Sequence, residues 1–455
     1  MKKTSAHAVI TVLGLALACI AFAQAGEVTQ TADPAIAAAV KDLSARRVQA
    51  DIEKLVSFGT RSTISAQDPA AIAAGHGVGA AREWLKSQFE LYSKECGGCL
   101  EVKTDEFVQE SGGRVPQPTP LTNVYAILKG SPEDAKRIIL VTGHYDSRNS
   151  DILDTTGNAP GANDDASGTA VSLESARALS KLKLRATLIF LAVAGEEQGL
   201  DGAKHFAQLA KQSGWSLEAV LDDDIVGGDK SPGQDAKLVR VFSEGNPAAA
   251  DEKQLHLIRS VGAESDSPSR QLARYIAEVG GAYSADVKPQ LVFRPDRYLR
   301  GGDHMAFNEQ GFAAVRFTEY RENFNHQHQN LRTENGIEYG DLLKFVDFDY
   351  VARVARLNAL TLAALAAAPA PPGEVKLVTT NLDNDSTLKW RASNGASGYE
   401  VLWRSTDAPS WEHVRNVGDT TTATLNLSKD NVVFAVRAVD KAGHRSLPVL
   451  PVPER

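Results

Sequence analysis

The sequence predicts an α/β protein in which helices cover both faces of a mostly parallel sheet, followed by a small all-β sandwich. Two observations carry this prediction. Between residues 45 and 368, apolar β-branched runs alternate with segments of helical spacing, as in a helix–sheet–helix sandwich. After a proline-rich linker at 369–374, short strands with alternating apolar and polar residues replace that pattern over 375–455, which indicates a β-sandwich.

The first 25 residues have the features of a secretory signal peptide. "MKK" is a basic start, "AVITVLGLALACIAFA" is apolar, and cleavage fits after Ala23 or Ala25. The alternative is a retained anchor, but the apolar run is shorter than the ~20 residues of a membrane span. Lipidation at Cys19 ranks lower, because the large apolar residue usual three places upstream is missing. We therefore predict a secreted or periplasmic protein with no membrane span in the mature chain.

Helices and strands alternate after an Ala-rich lead at 26–44. Helical spacing covers "RRVQADIEKLVSF", "GVGAAREWLKSQFELYSKE" and "GTAVSLESARALSKLKL", with one more helix near "SRQLARYIAEV" and a final helix that runs to about residue 368. The predicted strands lack alternation, as expected when both faces of a sheet are covered; they are "NVYAILKG", "KRIILVTG", "RATLIFLAVAG", "LEAVL" and "FAAVRFTE".

The tail from residue 375 resembles a fibronectin type III module. The residues that carry the likeness are Trp390 in "LKW", Tyr399 in "GYEVLWR" and the closing "FAVRAVDKAGHRS". This resemblance implies a β-sandwich. The tail lacks an acid and histidine cluster, so we do not expect it to be catalytic.

Charge and cysteine content narrow the class of protein. A formal charge of −8 without a long basic run argues against nucleic acid as a partner. Without the signal, two cysteines are left, Cys96 and Cys99 in "KECGGCLEV". In an exported chain this pair predicts a local disulfide; a redox motif or half of a metal site is the alternative, but no second pair completes a four-thiolate zinc site.

Acids and histidines follow one predicted strand after another. In an open α/β sheet such residues meet at the carboxyl edge, where ligands bind. Their loops are "GHYDS", "GANDDASG", "AGEEQG", "LDDDIVGG", "RGGDHMAF" and "TEYRENFNHQHQN", and their candidate residues are His144, Asp146, Asp164, Asp165, Glu196, Glu197, Asp222, Asp223, Asp224, Asp303, His304, Glu319, His326 and His328.

Such a concentration of acids requires compensating charge. Neighbouring carboxylates repel each other, and these loops contain no Lys or Arg cluster. A pair of divalent cations would balance them, and mixed imidazole and carboxylate ligands suit zinc best. Two such ions need two histidines, two terminal carboxylates and one bridging carboxylate, with a further acid as general base. The sequence therefore predicts a two-zinc hydrolytic site.

Together these motifs resemble those of the bacterial di-zinc aminopeptidases, a family related to glutamate carboxypeptidase and transferrin receptor. The likeness covers residues 45–368. It implies that Asp146 orients His144 from behind and that Glu196 is the general base. It further implies metal ligation by His144, Asp164 as the bridge, Glu197 and Asp224. Asp165 would shape the loop, and Asp222 and Asp223 are the alternatives to Asp224.

The last ligand is open between two histidines. His328 is favoured over His326, and on a strand both would face the same side. The one that does not ligate would contact substrate or solvent, and Asp303 would orient the ligand. Tyr298 would donate a hydrogen bond to the developing oxyanion, or be an ordinary half-buried tyrosine. Glu319 has either a structural salt bridge or a role in binding substrate.

These inferences predict a zinc aminopeptidase with two ions per chain that acts on peptide or protein substrates. Another exopeptidase or endopeptidase specificity on the same site is the first alternative. A glutaminyl cyclase-like transferase is the second, although that branch works with one zinc. An inactive binding protein is the third, and the intact "GEE" and "NDD" motifs argue against it. Side-chain preference and oligomeric state cannot be read from the sequence.

Overall fold

The computed structural model describes residue 26, residues 28–380 and residues 382–454 of the chain. The predicted signal peptide at 1–25 lies outside the described residues. In the lead that follows, a short helix forms and Ile36, Val40 and Leu43 are buried in the main core. The lead is therefore part of the folded body.

The described chain contains helices in its first part and only strands after the linker. The helices are α1 (Pro34–Ala39), α2 (Ala45–Val56), α3 (Pro69–Ala73), α4 (Gly77–Glu95), α5 (Ala166–Leu179), α6 (Glu196–Gly199), α7 (Asp201–Gln212), α8 (Glu252–Val261), α9 (Pro268–Ala282), α10 (His304–Glu309) and α11 (Phe348–Ala367). The strands are β1 (Leu100–Gln109), β2 (Thr119–Leu128), β3 (Arg137–His144), β4 (Thr187–Val193), β5 (Ser216–Asp223), β6 (Leu238–Ser243), β7 (Lys288–Val292), β8 (Ala314–Glu319), β9 (Arg332–Glu334), β10 (Ile337–Tyr339), β11 (Gly373–Val378), β12 (Ser386–Arg391), β13 (Gly398–Ser405), β14 (His413–Gly418), β15 (Thr422–Leu425), β16 (Val432–Val439) and β17 (Val452–Glu454).

The large sheet has eight strands in the order β1-β2-β4-β3-β5-β8-β6-β7. The four central strands, β4, β3, β5 and β8, are mutually parallel. Antiparallel pairs join β1 to β2, β2 to β4 and β6 to β8 towards the edges. The parallel centre is what places the ends of β3, β4 and β5 side by side.

Helices cover both faces of this sheet, which confirms the predicted sandwich. On one face, Ile139 and Val141 of β3 belong to a core that α2, α4, α5, α9 and α11 complete. On the other, Ile138 and Leu140 belong to a smaller core with Phe206 of α7 and other side chains of α7 and α10. Successive residues of β3 thus point into different cores, so the strand is buried on both sides.

Several elements have no clear signal in the sequence. Strand β1 has polar residues at most positions and an edge location, and α8 has no buried residue. Neither element has a continuous apolar run, because other elements do not pack against both sides of it. The predicted disulfide between Cys96 and Cys99 is confirmed and closes the turn between α4 and β1.

Helix α11 is long and apolar enough to cross a membrane by length and composition, and most of it is buried in this fold. Its side chains pack on α2, α5 and α9. Its apolar character is accounted for by its place in the main core.

The C-terminal strands form a four-stranded sheet, β15-β12-β11-β17, and a three-stranded sheet, β14-β13-β16. Side chains of both sheets share one core, among them Trp390, Tyr399 and Val436. Helix α11 ends at Ala367 and β11 begins at Gly373. The linker at 369–374 as the boundary between two domains stays a prediction, and so does the likeness of the second domain to fibronectin type III.

Buried ion pairs join the C-terminal sandwich to α9. Arg404 of β13 contacts both oxygens of Asp266 at 2.8 and 2.7 Å, and Arg274 of α9 contacts the same carboxylate at 2.9 Å. A second pair joins Arg437 of β16 to Glu278 of α9 at 2.7 Å. The Asp266, Arg274 and Arg404 side chains are each 1% exposed, so the two parts are fixed to each other.

We expect Asp266→Ala to destabilise the folded chain by about 3–5 kcal/mol, because it leaves two buried guanidinium groups without their anion. The control is Lys389→Ala, which removes an exposed ion pair with Glu454 and should cost less than about 1 kcal/mol. Thermal unfolding of both variants checks this. Equal melting temperatures for the two would contradict it.

Candidate metal centre

The candidate site lies at the carboxyl edge of the parallel centre. His144 is the last residue of β3, Glu196 and Glu197 begin the short α6 after β4, and Asp224 follows β5. Asp164 comes from the loop that leads into α5. Because β3 lies between β4 and β5, residues distant in sequence meet above one strand.

Two groups of side chains have the geometry of a metal-binding site. In the first, His144 Nε2 lies 3.2 Å from Asp164 Oδ1 and 3.8 Å from Asp224 Oδ1. In the second, His328 Nε2 lies 2.9 Å from Asp164 Oδ2 and 3.1 Å from Glu197 Oε1. Within each group the donor atoms lie within 4.8 Å of one another. We call these groups position A (His144, Asp164, Asp224) and position B (Asp164, Glu197, His328).

Asp164 belongs to both positions, with one oxygen towards each. Three other donor atoms, His144 Nε2, Asp224 Oδ1 and Glu197 Oε1, are buried without a hydrogen-bond partner of normal geometry. Unpartnered buried polar atoms are costly. Imidazole and carboxylate donors that converge on a shared carboxylate fit a pair of zinc ions.

The acids and histidines shift each other's pKa values. Burial opposes ionisation, but His328 and His144 hold the pKa of Asp164 well below its usual value. Burial likewise disfavours the charged imidazole of His328, but Glu197 and Asp164 raise its pKa to about 10. The acids therefore favour the protonated form of the histidines, and a metal would compete with those protons for the same nitrogens.

Glu196 belongs to neither position. It is half-buried next to Glu197, and burial together with the neighbouring acids raises its pKa to about 8 before a metal binds. Its backbone N–H donates to Asp146 Oδ1 at 3.3 Å, and the N–H of Glu197 donates to Asp146 Oδ2 at 3.3 Å. These bonds fix the backbone that carries Glu196, and its carboxylate belongs to neither ligand group.

Asp146 lies next to the Nδ1 side of His144: this nitrogen lies 3.2 Å from the backbone carbonyl of Asp146 and 3.4 Å from its Oδ1. It also accepts a hydrogen bond from Thr63 Oγ1 at 2.5 Å. A carboxylate in this position fixes the ring and raises the basicity of the metal-facing nitrogen. Asp146 therefore connects the His144 ring to the turn that carries Glu196 and Glu197.

The neighbouring acids have structural contacts. Asp165 accepts the N–H groups of His144 at 3.0 Å and Gly168 at 2.9 Å, which caps α5. Asp222 accepts the N–H of His304 at 3.0 Å. Asp223 accepts from Asn358 Nδ2 at 2.8 Å. Of the run "DDD", Asp224 alone joins a candidate metal position.

The two histidines of "NHQHQ" have separate roles. They lie in a loop after β8 rather than on a strand, and His328 has a φ of 52°. His328 reaches the acids, whereas His326 pairs with Asp229 and stacks on Phe345 at 3.5 Å between ring centroids. His326 is buried, so it has little contact with solvent, and a contact with substrate stays a prediction.

Two secondary expectations, on Asp303 and Glu319, differ from the structure, and a third, on Tyr298, is not tested. No described hydrogen bond joins Asp303 to His328, and both oxygens of this buried carboxylate lack a partner. Glu319 has no described basic partner; it accepts from Asn163 Nδ2 at 3.1 Å and from the N–H of Asp229 at 2.8 Å. Tyr298 is 76% exposed, and the guanidinium carbon of Arg294 lies 5.1 Å from its ring centroid. No described hydrogen bond joins Tyr298 to either position. Its role stays a prediction.

Sequence reasoning missed three buried residues around the site. Arg61 donates to the carbonyls of Tyr145 at 2.7 Å and Pro160 at 2.6 Å, which joins two of the metal loops. Asp341 accepts the N–H of Asp164 at 2.7 Å. Arg316 of β8 lies 3.0 Å from Asp224 Oδ2, so one basic residue outside the acid-bearing loops balances part of the charge at Asp224.

The fold and the converging imidazole and carboxylate donors fit a zinc metallopeptidase, and comparison with known proteins indicates the same class. Residues 123–347 match Peptidase family M28. A probable zinc metalloprotease of Pyrenophora tritici-repentis is 45% identical over 433 residues, which cover 94% of this chain and 88% of the relative. One from Pyricularia oryzae is 45% identical over 445 residues, 94% and 87% of the two chains. The chain belongs to Peptidase family M28.

Solved structures share the fold at low sequence identity. The LapA aminopeptidase of Legionella pneumophila has a TM-score of 0.52 and 20% identity over 76% of this chain and 78% of its own. A glutaminyl cyclase of Macrostomum lignano has a TM-score of 0.51 and 15% identity over 74% and 95%. The relatives at 45% identity described above are fungal, so the predicted likeness to bacterial enzymes does not extend to a bacterial origin.

Proposed function

We propose that the chain is an exported aminopeptidase that holds two zinc ions and uses Glu196 as its general base. The single observation that carries the proposal is the position of Asp164, whose two oxygens face two separate ligand groups at 3.2 and 2.9 Å. A carboxylate shared in this way is the usual bridge of a co-catalytic metal pair. His144 and Asp224 would complete one ligand set, and Glu197 and His328 the other.

The residues around the pair have separate tasks. Zinc, when bound, supplies Lewis acidity and acidifies water for attack on a carbonyl. Glu196 takes the proton of the attacking water and returns it to the leaving amine, which needs a carboxylate that ligates no metal. Asp146 holds the His144 ring and the turn that carries Glu196 in fixed positions relative to each other. Burial of the cluster strengthens each of these electrostatic contacts.

The substrate class follows from the charge of the site. The free amino group of a peptide is either a protonated cation or a neutral amine that ligates a metal. The acids around the two positions would attract the cation and would also hold the metal that the neutral amine ligates. Solved neighbours include the LapA aminopeptidase of Legionella pneumophila, which supports this choice. A glutaminyl cyclase shares the fold, but a full second ligand set around Glu197 and His328 favours hydrolysis by two metals.

Both ends of the chain have a proposed role besides catalysis: residues 1–25 in export, and the C-terminal sandwich as an attached module. The basic, apolar and small-residue segments of 1–25 support cleavage after Ala23 or Ala25 and a secreted or periplasmic location. The C-terminal sandwich, which resembles fibronectin type III in sequence, is proposed as a non-catalytic module. Its buried ion pairs with α9 support a fixed attachment to the peptidase body.

We expect a peptide with a free N-terminus to be cleaved at least about 100-fold faster than its N-acetylated form, because a site that binds a polar group rejects the analogue that lacks it. The measurement compares kcat/KM for aminoacyl-nitroanilides and matched peptides, free and acetylated, with product masses recorded. Equal cleavage of both forms would indicate an endopeptidase. Ring closure of N-terminal glutamine without peptide cleavage would indicate a cyclase.

A further inference from the structure

The ligand Asp224 differs from the other candidate metal ligands in having a buried cation beside it. Arg316 Nη1 lies 3.0 Å from Asp224 Oδ2, and both side chains are 4% exposed or less. The other two ligand carboxylates, Asp164 and Glu197, contact only histidine side chains among the described ion pairs. Position A therefore has a guanidinium paired with one of its ligand carboxylates, whereas no described Lys or Arg side chain pairs with the carboxylate of Asp164 or Glu197.

The guanidinium also selects which oxygen of Asp224 faces the metal position. Oδ2 is taken by Arg316, while Oδ1 lies 3.8 Å from His144 Nε2 and has no hydrogen-bond partner of normal geometry. The backbone of Asp224 is held as well: its N–H donates to the carbonyl of Phe317 at 3.2 Å, and its carbonyl accepts from Arg316 Nη2 at 3.4 Å. Asp224 thus offers position A one oxygen rather than two.

Arg316 forms ion pairs with two acids, Asp224 and Asp296. Its Nη1 also lies 3.4 Å from Asp296 Oδ2 and 2.9 Å from the carbonyl of Gly301. Asp296 in turn contacts Arg297, which reaches Glu322 at 2.9 Å. The charge next to Asp224 is therefore partly balanced by Asp296 from the loop that follows β7.

We propose that Arg316 is a positioning residue that fixes Asp224 as a one-oxygen ligand and lowers the affinity of position A for zinc. The inference rests on the proposed two-metal function. A fixed cation a few ångströms from a divalent ion repels it, and inside a protein such a charge changes metal affinity by at least about tenfold. Arg316 thus balances part of the acid cluster in the absence of metal and weakens the binding that the same acids favour.

The test measures zinc affinity with a competing chromophoric chelator, in the wild type and in an Arg316→Gln variant. Glutamine keeps an N–H donor but removes the charge. We expect zinc at position A to bind at least about tenfold more tightly in Arg316→Gln. Arg316→Lys keeps the charge and should restore an affinity close to wild type. Repeating the series in a His328→Ala background, which disrupts position B, assigns the effect to position A.

Asp296→Asn is a matched variant for which the expected change in zinc affinity has the opposite sign. Without Asp296 the guanidinium interacts with Asp224 alone, so zinc should bind several-fold more weakly. This variant leaves Arg316 in place, so it tests the same effect if Arg316→Gln fails to fold. Thermal unfolding in the presence of chelator shows whether each variant is folded.

The outcomes separate the inference from the proposed function. If wild-type protein binds no zinc, the proposed function fails. If it binds two ions but Arg316→Gln binds them equally or more weakly, the inference about Arg316 is overturned. An Asp296→Asn variant that binds zinc as tightly as wild type, or more tightly, would also overturn it.

Discussion

Glu196→Gln is expected to lose nearly all peptide cleavage and to keep two zinc ions per chain. The reason is that Glu196 belongs to neither metal position, yet its backbone N–H and that of Glu197 are both held by Asp146 next to His144. An amide of the same shape cannot take a proton from water, and a lost general base costs about 10²–10⁴-fold in kcat.

The matched control is the neighbouring residue. Glu197→Gln removes a ligand of position B, 3.1 Å from His328 Nε2, so it should lose metal as well as activity. Metal content by atomic emission and kcat on a free-amino peptide separate the two variants. Normal activity in Glu196→Gln, or loss of both metals from it, would show that Glu196 is not the base.

Asp164→Ala has the second large effect, because it removes a ligand from both positions at once. Each position then keeps only one histidine and one carboxylate, too few for a tetrahedral zinc site. We expect metal content to fall from two ions towards none after dialysis against weak chelator, with activity below detection. The buried His144 and the partly exposed His328 would also lose their nearest anion.

A control for Asp164→Ala is available at Asp223. This carboxylate is also buried and follows the same sheet edge, but it bonds Asn358 and lies outside both positions. Asp223→Asn should keep two zinc ions and most of the activity. Two tightly held ions in Asp164→Ala would contradict the bridging role of Asp164.

Much of the candidate site could be predicted from the sequence because of its relation to the sheet. His144, Glu197 and Asp224 each stand at or directly after a strand with an apolar run, and parallel strands end at one edge. The strands themselves were evident because burial on both faces demands continuous apolar residues. Together these two regularities are enough to predict that most of the acids meet at one edge of the sheet.

The other residues that shape the site act through contacts that leave no local pattern in the sequence. Arg316 sits in the middle of β8, where a basic residue gives no hint that Asp224 lies beside it. Arg61 acts through backbone carbonyls of two distant loops, and Asp341 through the N–H groups of Asn163 and Asp164. Spacing alone cannot reveal contacts of this kind, because they depend on how loops fold against each other.

The choice between His326 and His328 shows the same limit. Period-two spacing would place both on one side of a strand, but the segment is a loop with a left-handed residue at His328. Stacking on Phe345 and pairing with Asp229 direct His326 away from the acids. Which histidine reaches the site is therefore decided by the loop and its distant partners.

The most direct test of the two-zinc site is anomalous diffraction at the zinc edge from crystals of the purified mature chain. The account predicts two zinc peaks, one among His144, Asp164 and Asp224 and one among Asp164, Glu197 and His328. Crystals grown with zinc that show neither peak, or a single peak that leaves one of these groups empty, would contradict it.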